Sequence, residues 1–120
     1  MGLMFNSSND NKIATIANGA SISGEIDLGD KVFAGLIMPA EWTAAVITIL
    51  VASESGGTFY SLYNDAGTEI SLTVAAGTAI GIADVALALA PWRFVKLRSG
   101  TAASPVAQEA DRVINLVLKS

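Results

Sequence analysis

Ten consecutive residues, Thr43 to Ala52, carry no charge. Laid out with the two-residue period of a strand, Thr43, Ala45, Ile47, Ile49 and Val51 fall on one face. Ala44, Val46, Thr48, Leu50 and Ala52 fall on the other. Water suits neither face, so this strand belongs inside a domain and is covered on both sides. One cover is an opposing sheet; the other is a crossover such as Asp84–Ala90, or a neighbouring subunit. Two further strands follow. Ser55-Gly56-Gly57 turns the chain into Thr58–Tyr63, and Asn64-Asp65-Ala66-Gly67 turns it into Glu69–Val74. In the last of these Ile70, Leu72 and Val74 alternate with Ser71 and Thr73.

The same grammar runs through the rest of the chain. Lys12–Ala17 reads as a strand closed by Asn18-Gly19, a dipeptide that tolerates positive φ and signals a hairpin. Ser21–Leu28 alternates, with Ile22, Ile26 and Leu28 expected on one face. Val32–Met38 is a nearly continuous apolar strand ended by Pro39, which cannot donate to a ladder. Thr78–Ile82, Arg93–Ser99 and Arg112–Lys119 complete the set; the last puts Ile114, Leu116 and Leu118 opposite Val113, Asn115 and Val117. One helical candidate, Asp84–Ala90, has Asp84 as cap and Pro91 as stop, and is short enough to serve only as a plug or crossover. Eight or nine short strands with turn signals and one short helix predict an all-β fold, a β-sandwich or jelly-roll-like barrel. Residues 1–11 read as a flexible N-terminal arm and residues 12–120 as one β-sandwich domain. The arm holds the polar run Asn6–Asn11 behind an apolar Leu3-Met4-Phe5, so it is either a disordered tail or an apolar hook for a neighbouring subunit.

Composition enters at the surface. Of 120 residues, 52% are hydrophobic and only 15% charged, against about 25% charged in a typical soluble domain. Even with alanine discounted, charges are too few to cover a free monomer comfortably, which favours an obligate oligomer or a permanently docked subunit over an alanine-rich monomer. A net charge of −4 with scattered Lys and Arg argues against nucleic acid as partner. The N-terminus has neither the basic region nor the apolar core of a signal peptide. The longest apolar run is about half a membrane span, so the chain is expected to be soluble and not to engage membrane.

With no His and no Cys, the chain lacks a Ser-His pair, a thiolate nucleophile and an imidazole or thiolate metal site. No enzyme activity, cofactor or small-molecule substrate is expected. Glu25, Asp27 and Asp30 could form a weak hard-cation site or simply a solvated face, and the solvated face is favoured. Phe94, Lys96 and Arg98 share a face of their strand; this is either a basic ledge for an acidic partner or an edge guarded by charge. Trp42, Trp92, Tyr60 and Tyr63 could make a sugar platform, although so few aromatics are also normal for a core and its boundary.

Several stretches together resemble small structural proteins of tailed bacteriophages, over roughly Thr15 to Leu118. They are the Met38-Pro39…Trp42 turn, the Gly56-Gly57 hairpin, the Phe59…Leu62-Tyr63 strand, and Lys96…Arg98-Ser99-Gly100. The resemblance implies a virion component of the capsid decoration or cement type. Such a protein would be a β-sandwich homotrimer on the capsid surface, made in the host cytoplasm, that binds and locks the major capsid protein. On that footing Leu3, Met4, Phe5, Lys96 and Arg98 are candidates for capsid contact. Trp42, Ile47, Ile49, Phe59, Tyr63 and Trp92 are candidates for core or trimer contact. A tail or head–tail adaptor subunit is the alternative within the same virion, and a carbohydrate-binding sandwich aiding attachment is the alternative outside that class.

Overall fold

The computed structural model describes residues 9–82, 85 and 88–119. Nine strands form two antiparallel sheets. They are β1 (Asn9–Ile16), β2 (Ile26–Asp27), β3 (Val32–Ile37), β4 (Ile47–Ala52), β5 (Tyr60–Ser61), β6 (Ser71–Leu72), β7 (Ala79–Gly81), β8 (Phe94–Ser99) and β9 (Arg112–Lys119). One sheet has the order β1-β9-β3-β7; the other has β2-β8-β4-β5, with β6 pairing further along the same edge of β4. Every expected strand overlaps an observed one, and the all-β class holds. The core lies between the sheets. Ile16, Phe33, Leu36, Ile114, Leu116 and Leu118 meet Ile26, Ile47, Ile49, Val51, Val95 and Leu97 across it. Val85, Ala88 and Leu89 are helical, and Leu89 is fully buried in the same core. The cap expected at Asp84 lies outside the described residues.

Three features depart from the sequence reading. The first strand starts at Asn9, three residues before Lys12, because β1 pairs along its whole length with β9, from Asn9↔Lys119 to Ile16↔Arg112. The Asn18-Gly19 turn is real, with Gly19 at φ +82, but it is not a hairpin. The chain enters it from the first sheet and leaves it to bridge β8 of the second at Ile22↔Arg98. The turn is held by long-range partners: the Asn18 amide donates to the Asp111 carboxylate and the Gly19 amide to the Gln108 carbonyl.

The third departure is two changes of phase. Ile22 lies opposite Arg98, whereas Ile26 lies opposite Val95, so one extra residue sits on the Ile22–Ile26 side. Such a bulge turns the following side chains to the other face. Ile22 is therefore exposed although Ile26 is buried, and Ser23 points inward with its hydroxyl accepting from the Leu97 amide. In β3 the register against β9 slips between Phe33 and Gly35. Core positions there are Phe33 and Leu36, three apart, which is why that strand reads as a continuous apolar run.

Candidate docking surfaces

β4 is buried at all six positions, as its lack of charge required. Its inner face, Ile47, Ile49 and Val51, belongs to the core. Its outer face is closed within the single chain by side chains of the same sheet. Register places Arg98 beside Thr48 and Lys96 beside Leu50. The Arg98 guanidinium lies flat over this face. Nε donates to Thr48 Oγ1 at 2.9 Å, and Nη2 donates to Ser61 Oγ at 3.1 Å and to Glu69 Oε2 at 2.6 Å. Thr48 in turn donates a hydrogen bond from its hydroxyl to the Gly100 carbonyl. Arg98 is thus buried and ion-paired, and the assignment of Arg98 to a partner-facing basic ledge is corrected. Its strand, β8, lies inside the sheet between β2 and β4, so it is not a guarded edge either. Lys96 stays half-exposed, its ammonium 4.5 Å from the Phe59 ring centroid. Such a contact holds both groups against the sheet.

The acidic groups near β2 are also engaged. Asp27 accepts from Arg93 Nε and Nη2 and from the Gly29 amide. The guanidinium first, and that amide second, hold its carboxyl down at about 2. Glu25 accepts from the Gly56 amide and the Ser55 hydroxyl, which keep its carboxyl below the usual value. Among the described residues no three His, Cys, Asp or Glu side chains gather where they could hold a metal ion.

The aromatic candidates disperse. Trp42 packs against the core and donates Nε1–H to the Ala45 carbonyl. Trp92 packs against the core as well, and also borders a small cleft of about 160 Å³ with Asp30 and Arg93. Phe59 is half-buried under Lys96. Ile47 and Ile49 are pure core. Tyr63 is exposed and takes its place outside the core, bridging Glu69 on the outer face. Tyr60 is exposed too, but opposite the inward-facing Val51, so the two tyrosines leave their strand in opposite directions. Leu3, Met4 and Phe5 lie outside the described residues.

Sequence reading missed two features. Gln108 is fully buried in a loop and clamps three segments together. Its Nε2 donates to the Thr43 carbonyl and Ser99 Oγ; its Oε1 accepts from the Thr43 amide and Arg112 Nε. A single Gln in a loop carries no pattern, so no local signal announces it.

The second missed feature is the outer face of the β1-β9-β3-β7 sheet. Ile13, Val113, Val32 and Ile37, four of the seven large apolar side chains exposed among the described residues, lie on it. Asn115, Gly35, Ala79 and Gly81 fill the positions between. Among the described strand positions of this face, Lys119 alone is charged. A shallow depression of about 420 Å³ runs along Gly35, Ala79 and Gly81, bordered by Val117. Asn115 Oδ1 sits closed off from water with no hydrogen-bond partner. A patch this apolar and this poor in charge marks an interaction surface. Its signal was present: β1 and β9 carry apolar residues on both parities, Ile13 with Ala14 and Val113 with Ile114. In comparisons with known proteins, no family model, no curated protein and no solved structure matches the chain.

Proposed function

We propose that this protein is a non-enzymatic structural component of a tailed-phage virion, a decoration or cement protein that docks on the outside of the capsid lattice and stabilises it. The observation that carries the proposal is the largely apolar outer face of the β1-β9-β3-β7 sheet, with Lys119 its one charged strand position among the described residues, supported by the sequence resemblance to phage structural proteins. A rigid sandwich with one apolar face suits a subunit that works by being held in place. Contacts made only in the assembled shell stabilise that shell by mass action, and many copies reinforce one another. The absence of His and Cys from the chain accords with a role without chemistry. The resemblance implies three copies per assembly, bound to the major capsid protein, with residues 3–5 among the contacts.

The test is cryo-electron microscopy of the virion, with the sandwich fitted to the map. Density over the capsid lattice, with this sheet face buried, is the expected result. Density in the tail or the head–tail connector would replace the cement role with that of a tail or adaptor subunit. A virion without the protein would overturn both.

A further inference from the structure

We propose that two copies of this chain pair face to face through the outer surface of the β1-β9-β3-β7 sheet, about a two-fold axis that runs parallel to the strands between β9 and β3. The pairing is a property of the free protein and covers the face that the virion role would bury, so the pair must part before the shell is bound.

The argument rests on how large and small residues are distributed across the face. Register aligns Ile13, Asn115, Ile37 and Ala79 in one row across the four strands. It aligns Asn11, Val117, Gly35 and Gly81 in the next. Rotation about the proposed axis exchanges β1 with β7 and β9 with β3. Ile13, 63% exposed, then stands over the partner's Ala79, and Val117 over the partner's Gly35. In these two contacts a side chain that projects meets one that does not, and the hollow along Gly35 and Gly81 is filled from the other copy; between them the same rotation sets Asn115 over the partner's Ile37. A two-fold contact requires this self-complementarity of a single patch. Facing sheets cross at about 30°, so the match is tightest in the middle of the face.

Asn115 lies at that middle, flanked in its row by Ile13 and Ile37. In the single chain its Oδ1 has no partner. In the pair, the two Asn115 side chains approach each other beside the axis. A turn about χ2 lets each amide donate to the other's Oδ1. The polar group that the lone sheet leaves unsatisfied thereby fixes the register of the pair.

Size supports the occupant. With strands about 4.8 Å apart and about 3.3 Å per residue, the face projects to about 400–500 Å² per copy. Two copies therefore bury about 800–1,000 Å², at the lower limit for a specific interface. The pair is accordingly expected to be reversible on dilution.

Light scattering and sedimentation of the full chain over a wide concentration range test the proposal. The mass should rise from 12.3 kDa towards twice that value. Ile13→Glu and Ala79→Arg, on opposite sides of the same contact, should each weaken pairing at least about tenfold, with the thermal midpoint unchanged at dilutions where the parent is monomeric. Because the chain has no cysteine, geometry can be read directly with Ile13→Cys and Ala79→Cys. A short bismaleimide should cross-link a mixture of the two variants far more than either variant alone. A mass that stays monomeric, or settles at three copies, overturns the proposal. So does cross-linking of Ile13→Cys alone as strongly as the mixture. Pairing that vanishes when residues 1–8 are deleted would assign the contact between copies to that segment instead of this face, and likewise overturn the proposal.

Discussion

Replacing Glu69 with Ala tests whether Arg98 belongs to the architecture or to a binding surface. The pair is nearly closed to solvent, with side-chain exposures of 7% for Arg98 and 16% for Glu69. Besides the 2.6 Å bond to Arg98, the Glu69 carboxylate accepts from the Ala102 amide at 3.1 Å. Removing one member of a buried pair costs about 3–5 kcal/mol, because the remaining charge stays desolvated without its counter-charge. Here Thr48 and Ser61 keep their bonds to the guanidinium, and water can enter where Glu69 was. The low end therefore applies, about 3 kcal/mol. For a chain of this length that corresponds to a fall in Tm of about 12 °C. Urea unfolding followed by the fluorescence of Trp42 and Trp92 measures it. Glu69→Leu combined with Arg98→Met removes both charges, and should return stability to within about 1 kcal/mol of the parent. A loss below about 1 kcal/mol for Glu69→Ala would make the pair an ordinary screened surface bridge. The reasoning would then fail, and Arg98 would again be a cation available to a partner.

Two further expectations follow from the geometry. Gln108→Leu leaves the Thr43 amide and carbonyl and Arg112 Nε short of a partner; at about 1–3 kcal/mol per buried group, stability should fall by about 3 kcal/mol or more. Faster hydrogen exchange at the Thr43 amide would accompany it, and an unchanged unfolding midpoint would refute the clamp. The Asp27 carboxyl, held at about 2 against an ordinary 3.8, contributes stability that is complete above 3.8 and is lost as pH falls through 2. Carbon-detected NMR titration should show that low midpoint, with Arg93→Ala moving it most of the way back. A midpoint above 3 in the parent would contradict the geometry.

The positions of the strands were legible in the chain because a strand's signal is local. Period-two alternation and Gly- or Asn-rich turns mark Ser71-Leu72 or Arg112–Lys119 without reference to any other segment. The uncharged run that became β4 required burial on both sides wherever it went. Partnership was another matter. Asn18-Gly19 carries the same sequence signal whether it closes a hairpin or carries the chain between sheets; in the fold Gly19 alone takes positive φ, where a two-residue type I′ hairpin would require it of Asn18 as well. What decides is where Ser21–Leu28 finds its ladder, and that is β8, some seventy residues on. The extra residues that turn Ile22 outward and separate Phe33 from Leu36 were equally invisible, because a bulge exists only relative to its neighbour.

The candidate surfaces divide along the same line. Composition alone showed charge to be scarce, which favoured an apolar surface somewhere on the fold. It did not say where. The uncharged Thr43–Ala52 run drew attention to the sheet that holds β4, yet that sheet closes its own outer face with Arg98, Glu69, Lys96 and Phe59. The bare face belongs to the other sheet, where Ile13, Asn115, Ile37 and Ala79 come from four distant segments and meet only through pairing. Hydrophobicity is a property of residues, and the chain determines it. A patch is a property of which residues share a surface, and only strand order and register decide that.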